Sequence, residues 1–172
     1  METLSKLFGS PAKVKILKLF IFNPDRAYDT RQVAERTKES IPKSHAEISC
    51  LEKTEIIRPK TFFKSVEKRK SGRKVSTKMK THGWTLNKEF AFIEPLRTFL
   101  VNMNHVSHKD LITRLGRGGT LRLIIVSGVF IQNTESRVDL LVVGDHLKRG
   151  LIENIIRTIE AEIGKEIRYA IF

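Results

Sequence analysis

Residues 58–80 read RPKTFFKSVEKRKSGRKVSTKMK, and the fold of the chain turns on how this stretch is read. It holds ten Lys or Arg side chains against one acid, Glu67, a net of +9. Residues 1–57 carry ten basic and eight acidic side chains, and residues 81–172 carry twelve and ten. The excess of +13 over 172 residues is therefore a local property of one segment. A charge run taken alone reads as a solvated linker. This one is interrupted by Phe62, Phe63, Val66, Val75 and Met79, with Ser71-Gly72-Arg73 near its middle. Two extended stretches, about 58–66 and 74–86, then flank a Lys/Arg/Gly tip, which is the pattern of a β-hairpin with a basic turn. The cations of such a hairpin are Lys64, Lys68, Arg69, Lys70, Arg73 and Lys74. They suit a phosphate backbone, because each displaces condensed counterions and adds sequence-independent, salt-sensitive affinity.

Upstream of the hairpin the periodicity is helical. Val14, Leu17 and Ile21 fall on i, i+3, i+7, widened by Ile16, Leu19 and Phe20, while Lys13, Lys15 and Lys18 take much of the other face. Ser10 is placed to cap this helix, Pro11 fits its first position, and Asn23-Pro24-Asp25 stops it. Asp29 or Thr30 caps a second helix running to about Thr37, with Val33 and Ala34 inward. A third begins near Ser40, tolerates Pro42 in its first turn, and runs to about Lys53 with Ile48 and Leu51 facing the core. Three short helices and a hairpin describe a winged helix-turn-helix, whose third helix enters the DNA major groove. Its early residues here are Lys43, Ser44, His45, Ala46 and Ser49. Lys and His can donate to guanine acceptors, and Ser can serve either role.

SPAKVKILKLF at 10–20, followed by RQVAERTKESIPKSHAEISCLEKTEIIRPK at 31–60, resembles the DNA-binding domain of prokaryotic winged-helix transcriptional regulators. In AEISCLEKTEII, Ile48 and Leu51 stand three apart with an acid next; Glu55 occupies a place where that family often has Gly. The resemblance spans about residues 8–88. It implies sequence-specific double-stranded DNA as partner, a homodimer, and a cytoplasmic, nucleoid-associated regulator.

Beyond this unit (residues 1–88) the texture changes. A connecting helix, roughly Glu94 to Asn102, is expected within a linker at 89–105, with Leu96, Phe99 and Leu100 inward. Ser107 caps a further helix that Gly116-Arg117-Gly118-Gly119 ends. Buried strands are expected at 121–127 and 138–143, then a helix from His146 to Ile163 and a last strand at 166–172. Residues 106–172 thus read as a small α/β domain, and the whole chain as two-domain α+β.

ArgValAspLeuLeuValValGlyAsp at 137–145 is similar to the metal-binding strand of minimal nucleotidyltransferases. In that family a Gly-Ser turn holds nucleotide phosphate, two aspartates one residue apart bind magnesium, and a later strand gives a third carboxylate. Here Arg137 takes the first aspartate position and only Asp139 matches; the turn reads Val126-Ser127-Gly128, and the last strand offers Glu166. A fixed guanidinium repels the cation that a carboxylate would bind. The resemblance therefore implies a degenerate nucleotide site at Ser127, Gly128, Arg137 and Asp139, with no catalytic residue, metal or cofactor. Its place in a regulator would be dimerisation, or recognition of an unidentified effector or protein. Two other functions stay open: magnesium-dependent nucleotidyl transfer, and nonspecific nucleic-acid binding through the same hairpin.

Other patterns exclude more than they suggest. A lone Cys50 removes disulfide frameworks and multi-cysteine zinc sites. The longest apolar stretch, Leu121 to Ile131, is broken by Arg122 and Gly128, too short for a membrane span. METLSKLFGS lacks a secretory pattern, so an intracellular chain without membrane partners is expected. His105 and His108 stand three apart without a supporting carboxylate cluster and read as surface residues.

Overall fold

The computed structural model describes residues 2–70, 73–103, 106–131, 133 and 135–172, and side chains of 66–76 lie outside that description. Helices α1 (Glu2–Phe8), α2 (Pro11–Phe22), α3 (Thr30–Thr37) and α4 (Ile41–Lys53) come first, with a two-residue strand β1 (Ala27–Tyr28) before α3. Their starts are fixed by local chemistry. Ser10 Oγ accepts from the Lys13 amide at 3.0 Å, and Ser40 Oγ accepts from the Lys43 amide at 3.4 Å. Asp29 and Gln32 form a reciprocal capping box at 2.7 and 3.0 Å. Lys38, at φ 54°, closes α3 in the left-handed conformation and turns the chain into α4.

Strands β2 (Ile57–Lys70) and β3 (Arg73–Leu86) pair antiparallel from Ile57↔Leu86 to Lys70↔Arg73. At about 3.3 Å per residue, each 14-residue strand extends some 45 Å. β1 joins only at the root, opposite Trp84 and Thr85. Gly83 permits that join, since a Cβ there would lie 2.3 Å from the Tyr28 carbonyl oxygen. The outer part of the hairpin is thus a two-stranded ribbon. Helix α5 (Ile93–Asn102) returns to this half: Ile93 and Leu100 are buried with Leu17, Phe20, Ile48 and Leu86 in one core.

A second core gathers Leu115, Leu140, Val142, Ile152, Ile156 and Ile159. It lies among α6 (His108–Leu115), β4 (Thr120–Val126), β5 (Leu140–Asp145), α7 (Arg149–Ile163) and β6 (Tyr169–Ile171). The sheet order is β4-β5-β6, antiparallel then parallel. The chain is therefore a mixed α+β protein built on two cores. No helix among the described residues is long and apolar enough to cross a membrane.

The two halves meet where α7 packs on α2 and α3. Buried Lys18 donates to the Glu162 carbonyl at 3.0 Å, and Asn23 Nδ2 donates to the Gly164 carbonyl at 2.7 Å. Lys38 Nζ donates to Asn154 Oδ1 at 2.7 Å and to Thr158 Oγ1 at 2.8 Å. Glu166 pairs with Arg36 and, at 3.3 Å, with Arg26. Gly164, at φ 85°, is required twice: by its left-handed backbone, and because a Cβ would sit 2.7 Å from the Lys18 carbonyl carbon.

Several sequence expectations change. α1 was not anticipated from the pattern. α7 begins at Arg149, not His146, the strand expected at 138–143 is shifted to 140–145, and the last strand shortens to 169–171. β4 is not a buried strand: it lies at the sheet edge, and Leu123 and Ile125 are half exposed on the face away from α7. Lys18 is not on a solvated face, because α7 covers it.

Candidate nucleic-acid interface

α4 is held at its middle and near its end, and exposed along its outer face. Ile48 and Leu51 are buried, as their spacing requires. Glu47 is bound by Lys13 at 3.6 Å and by the Ser10 hydroxyl, which ties the helix to α2. Near its C-terminal end Trp84 Nε1 donates to Glu52 Oε2 at 3.0 Å, which ties α4 to the root of the hairpin. Helix and ribbon thus form one mechanical unit.

The outward face of α4 presents Lys43, His45 and Ala46, with Ser49 half-buried beside them. Ser44 is a correction. It is 0% exposed, and its hydroxyl has no hydrogen-bond partner. It shares the stripe of Ile48 and Leu51 at i, i+4, i+7, so it cannot touch an external partner. Lys43 is exposed but not free, since its ammonium lies 3.0 Å from Glu39, which Lys15 also holds at 2.8 Å. Burial would raise the Glu39 pKa; hydrogen bonds from Lys15 and Lys43 outweigh it and hold the carboxyl below its ordinary value.

On the ribbon, the backbone places Lys68, Arg69 and Lys70 opposite Val75, Lys74 and Arg73. Their side chains lie outside the described residues. Lys64 has a different position from the one its charge suggests. Its Nζ bonds Asp29 Oδ2 at 2.9 Å, and Asp29 is the cap of α3. It braces the ribbon against the helices. Six residue pairs continue beyond it, about 20 Å of ribbon.

Three residues absent from the sequence-derived site stand out. Phe63 is 71% exposed and faces Lys80 across the ladder, with Lys78 exposed two pairs further out on the same face. Strand alternation was the available signal: Phe62 and Phe63 must point to opposite faces, so one ring had to leave the core side.

Of the four residues expected at a degenerate nucleotide site, Gly128 and Asp139 come together, and the Asp139 carboxylate is held by the chain itself. Asp139 is 1% exposed. Its Oδ1 accepts from the Val129 amide at 3.1 Å and Arg168 Nη2 at 3.1 Å. Its Oδ2 accepts from the Arg168 amide at 2.8 Å and Arg168 Nε at 3.0 Å. Burial would raise this carboxyl's pKa, but the Arg168 guanidinium and the two amides outweigh it and hold it below the usual carboxylate range. Gly128, at φ 52°, lies so close that a Cβ would fall 1.7 Å from Asp139 Oδ1. The missing side chain makes room for a carboxylate of the same chain. Ser127 Oγ shares a 2.8 Å hydrogen bond with Ser136, and Arg137 is exposed. Among the described residues, no three His, Cys, Asp or Glu side chains come together as a metal-binding group. His108 is exposed, and His105 lies outside the described residues.

Comparison with known proteins adds no identity: no family model, no curated protein and no solved structure matches the chain.

Proposed function

We propose that the chain is a sequence-specific double-stranded DNA-binding regulator whose first half, residues 1–88, is a winged helix-turn-helix. α4 would lie in the major groove, and the β2–β3 ribbon would follow the phosphate backbone. The observation that carries this reading is the coupling of an exposed helix to a projecting hairpin holding most of the net charge, +9 of +13. The base-reading set is Lys43, His45, Ala46 and Ser49; the backbone set is Lys68, Arg69, Lys70, Arg73 and Lys74, now with Lys78 and Lys80. Residues 106–172 would be a nucleotidyltransferase-like domain without chemistry, a part of dimerisation or effector recognition. The four donors around Asp139 favour this over nucleotidyl transfer, since its lone pairs are committed to the protein. A cytoplasmic, nucleoid-associated homodimer reading paired half-sites completes the proposal.

The test is a salt titration of DNA binding. Replacing Arg69 and Lys70 by Gln should weaken binding to every sequence and lower the log–log salt slope by about 2, near one per lost phosphate contact. An unchanged slope refutes the ribbon's role. Changing Lys43 or His45 should instead alter sequence preference. A wild-type chain that loses all bound target to excess random DNA is a nonspecific binder, which overturns the base-reading part.

A further inference from the structure

A cleft of about 580 Å³ opens where the two halves meet, a size within the ordinary range for small-molecule sites. Its walls come from separate parts of the fold. Ile21 and Phe22 end α2, Val101 belongs to α5, Val129 and Phe130 follow β4, and Ile163 ends α7. The charged residues lining it are Arg97, Asp139, Lys165, Glu166 and Arg168.

Most of those charges are already matched. Arg168 is spent on Asp139 at 3.0 Å, Glu166 on Arg36 and Arg26, and Arg97 on Glu94 at 2.9 Å. Lys165 is half-buried, lines the cleft, and has no acidic partner among the described residues. A cleft with an apolar patch, matched ion pairs and one ammonium without an acidic partner favours one class of guest: a single negative charge on an apolar body. We propose that this cleft binds a small organic monoanion, an aromatic or branched carboxylate, with its charge on Lys165 and its body against Phe22, Val101, Val129 and Phe130. A phosphate monoester, with two charges, would leave one of them unmatched. A neutral apolar compound would leave the ammonium unpaired beneath it.

The same residues make the site responsive. Lys165 stands between Gly164, whose carbonyl receives Asn23, and Glu166, whose carboxylate holds Arg36 of α3. A guest on Lys165 would therefore sit beside the bonds that join the halves. This goes beyond the nucleic-acid reading and does not depend on it.

The experiment is calorimetric titration of the full chain with three probes: 3-phenylpropionate, 3-phenyl-1-propanol and acetate. Phenylpropionate should bind saturably, one per chain. The alcohol, which lacks the charge-assisted bond, should bind roughly tenfold more weakly or worse, and acetate not measurably. Lys165→Gln should abolish the preference for acid over alcohol while leaving the far-ultraviolet spectrum unchanged. Val129→Trp should fill the chamber and remove binding of both; Val101→Trp, from the opposite wall, makes the same demand if the first variant does not fold. Failure of phenylpropionate to bind, equal binding of the alcohol, or a Lys165→Gln chain that keeps its preference each overturns the proposal.

Discussion

Lys18 gives the sharpest quantitative handle on how the two halves are joined. Its side chain is 1% exposed under α7, with its ammonium on the Glu162 carbonyl. That carbonyl lies in the last turn of α7, where the negative end of the helix dipole favours a cation. Burial pushes the Lys18 pKa from 10.5 down to about 8, against the opposing pull of the Glu162 carboxylate. At about 1.4 kcal/mol per pH unit, holding the proton in the folded state costs about 3 kcal/mol. The unfolded chain keeps this proton to about pH 10.5, whereas the folded chain releases it near 8. Between those values the unfolded state binds more protons, so stability rises with pH. The cost is present in full below about pH 8 and gone above about 10.5. The assay is urea unfolding of the wild type and Lys18→Met from pH 7 to 10.5. Every other titrating group, including Tyr28 with its pKa raised by burial, is common to both chains and cancels in the difference. The wild type should gain up to about 3 kcal/mol on the variant across this window. Parallel curves would refute the buried, proton-paying lysine and with it the tight seam.

Three other perturbations separate the structural charges from the exposed ones. Arg168→Ala should destabilise the fold, because it leaves the buried Asp139 carboxylate with only backbone donors. Asp139's depressed pKa contributes stability above the ordinary carboxylate value that is lost as pH falls through the folded one, so losing Arg168 should move acid unfolding, followed by circular dichroism, to higher pH; an unmoved midpoint contradicts this. Lys64→Ala should flatten the salt slope of DNA binding less than Lys70→Ala, since its ammonium is already on Asp29; equal effects in the same titration would return Lys64 to the phosphate-contacting set. Phe63→Ala should change stability by no more than about 0.5 kcal/mol, while weakening DNA binding through loss of its apolar contact with the duplex; the salt slope should not move, and undiminished affinity would remove Phe63 from the interface.

What the sequence made legible was whatever local rules decide. Ser10, Asp29 and Ser40 are short-range caps, and α2, α3 and α4 begin one residue after each, as the pattern suggests. The hairpin was legible because turn and strand signals are also local, though its strands run further toward the tip than expected. What was not legible depends on contacts distant in sequence. Nothing in the text around Lys64 names Asp29, and nothing near Lys18 names a helix more than a hundred residues later. β4 misled for a related reason: Leu-Arg-Leu-Ile-Ile-Val reads as buried on both faces, but the fold covers only one, leaving Leu123 and Ile125 half exposed. Ser44 is the instructive miss at the site. Its spacing to Ile48 and Leu51 already placed it on the core stripe, but its polarity was read as outward.

The ion pairs also bear on how much discrimination this surface supports. Glu39, Asp139 and Glu166 each take a cation from outside the ribbon, whereas Asp29 takes Lys64 of the ribbon itself. Phosphate contacts from that ribbon carry no sequence information. In the proposed reading, discrimination would fall to Lys43, His45, Ala46 and Ser49, and Lys43 would first have to leave Glu39. A good bidentate base contact is worth about 1–3 kcal/mol, and neither Lys, His nor Ser offers the planar fork that reaches the top of that range. One such helix supplies too little to hold a site against a genome of competitors. A sequence-specific role therefore requires two copies of α4 on one target, which makes dimerisation a necessity of the proposal.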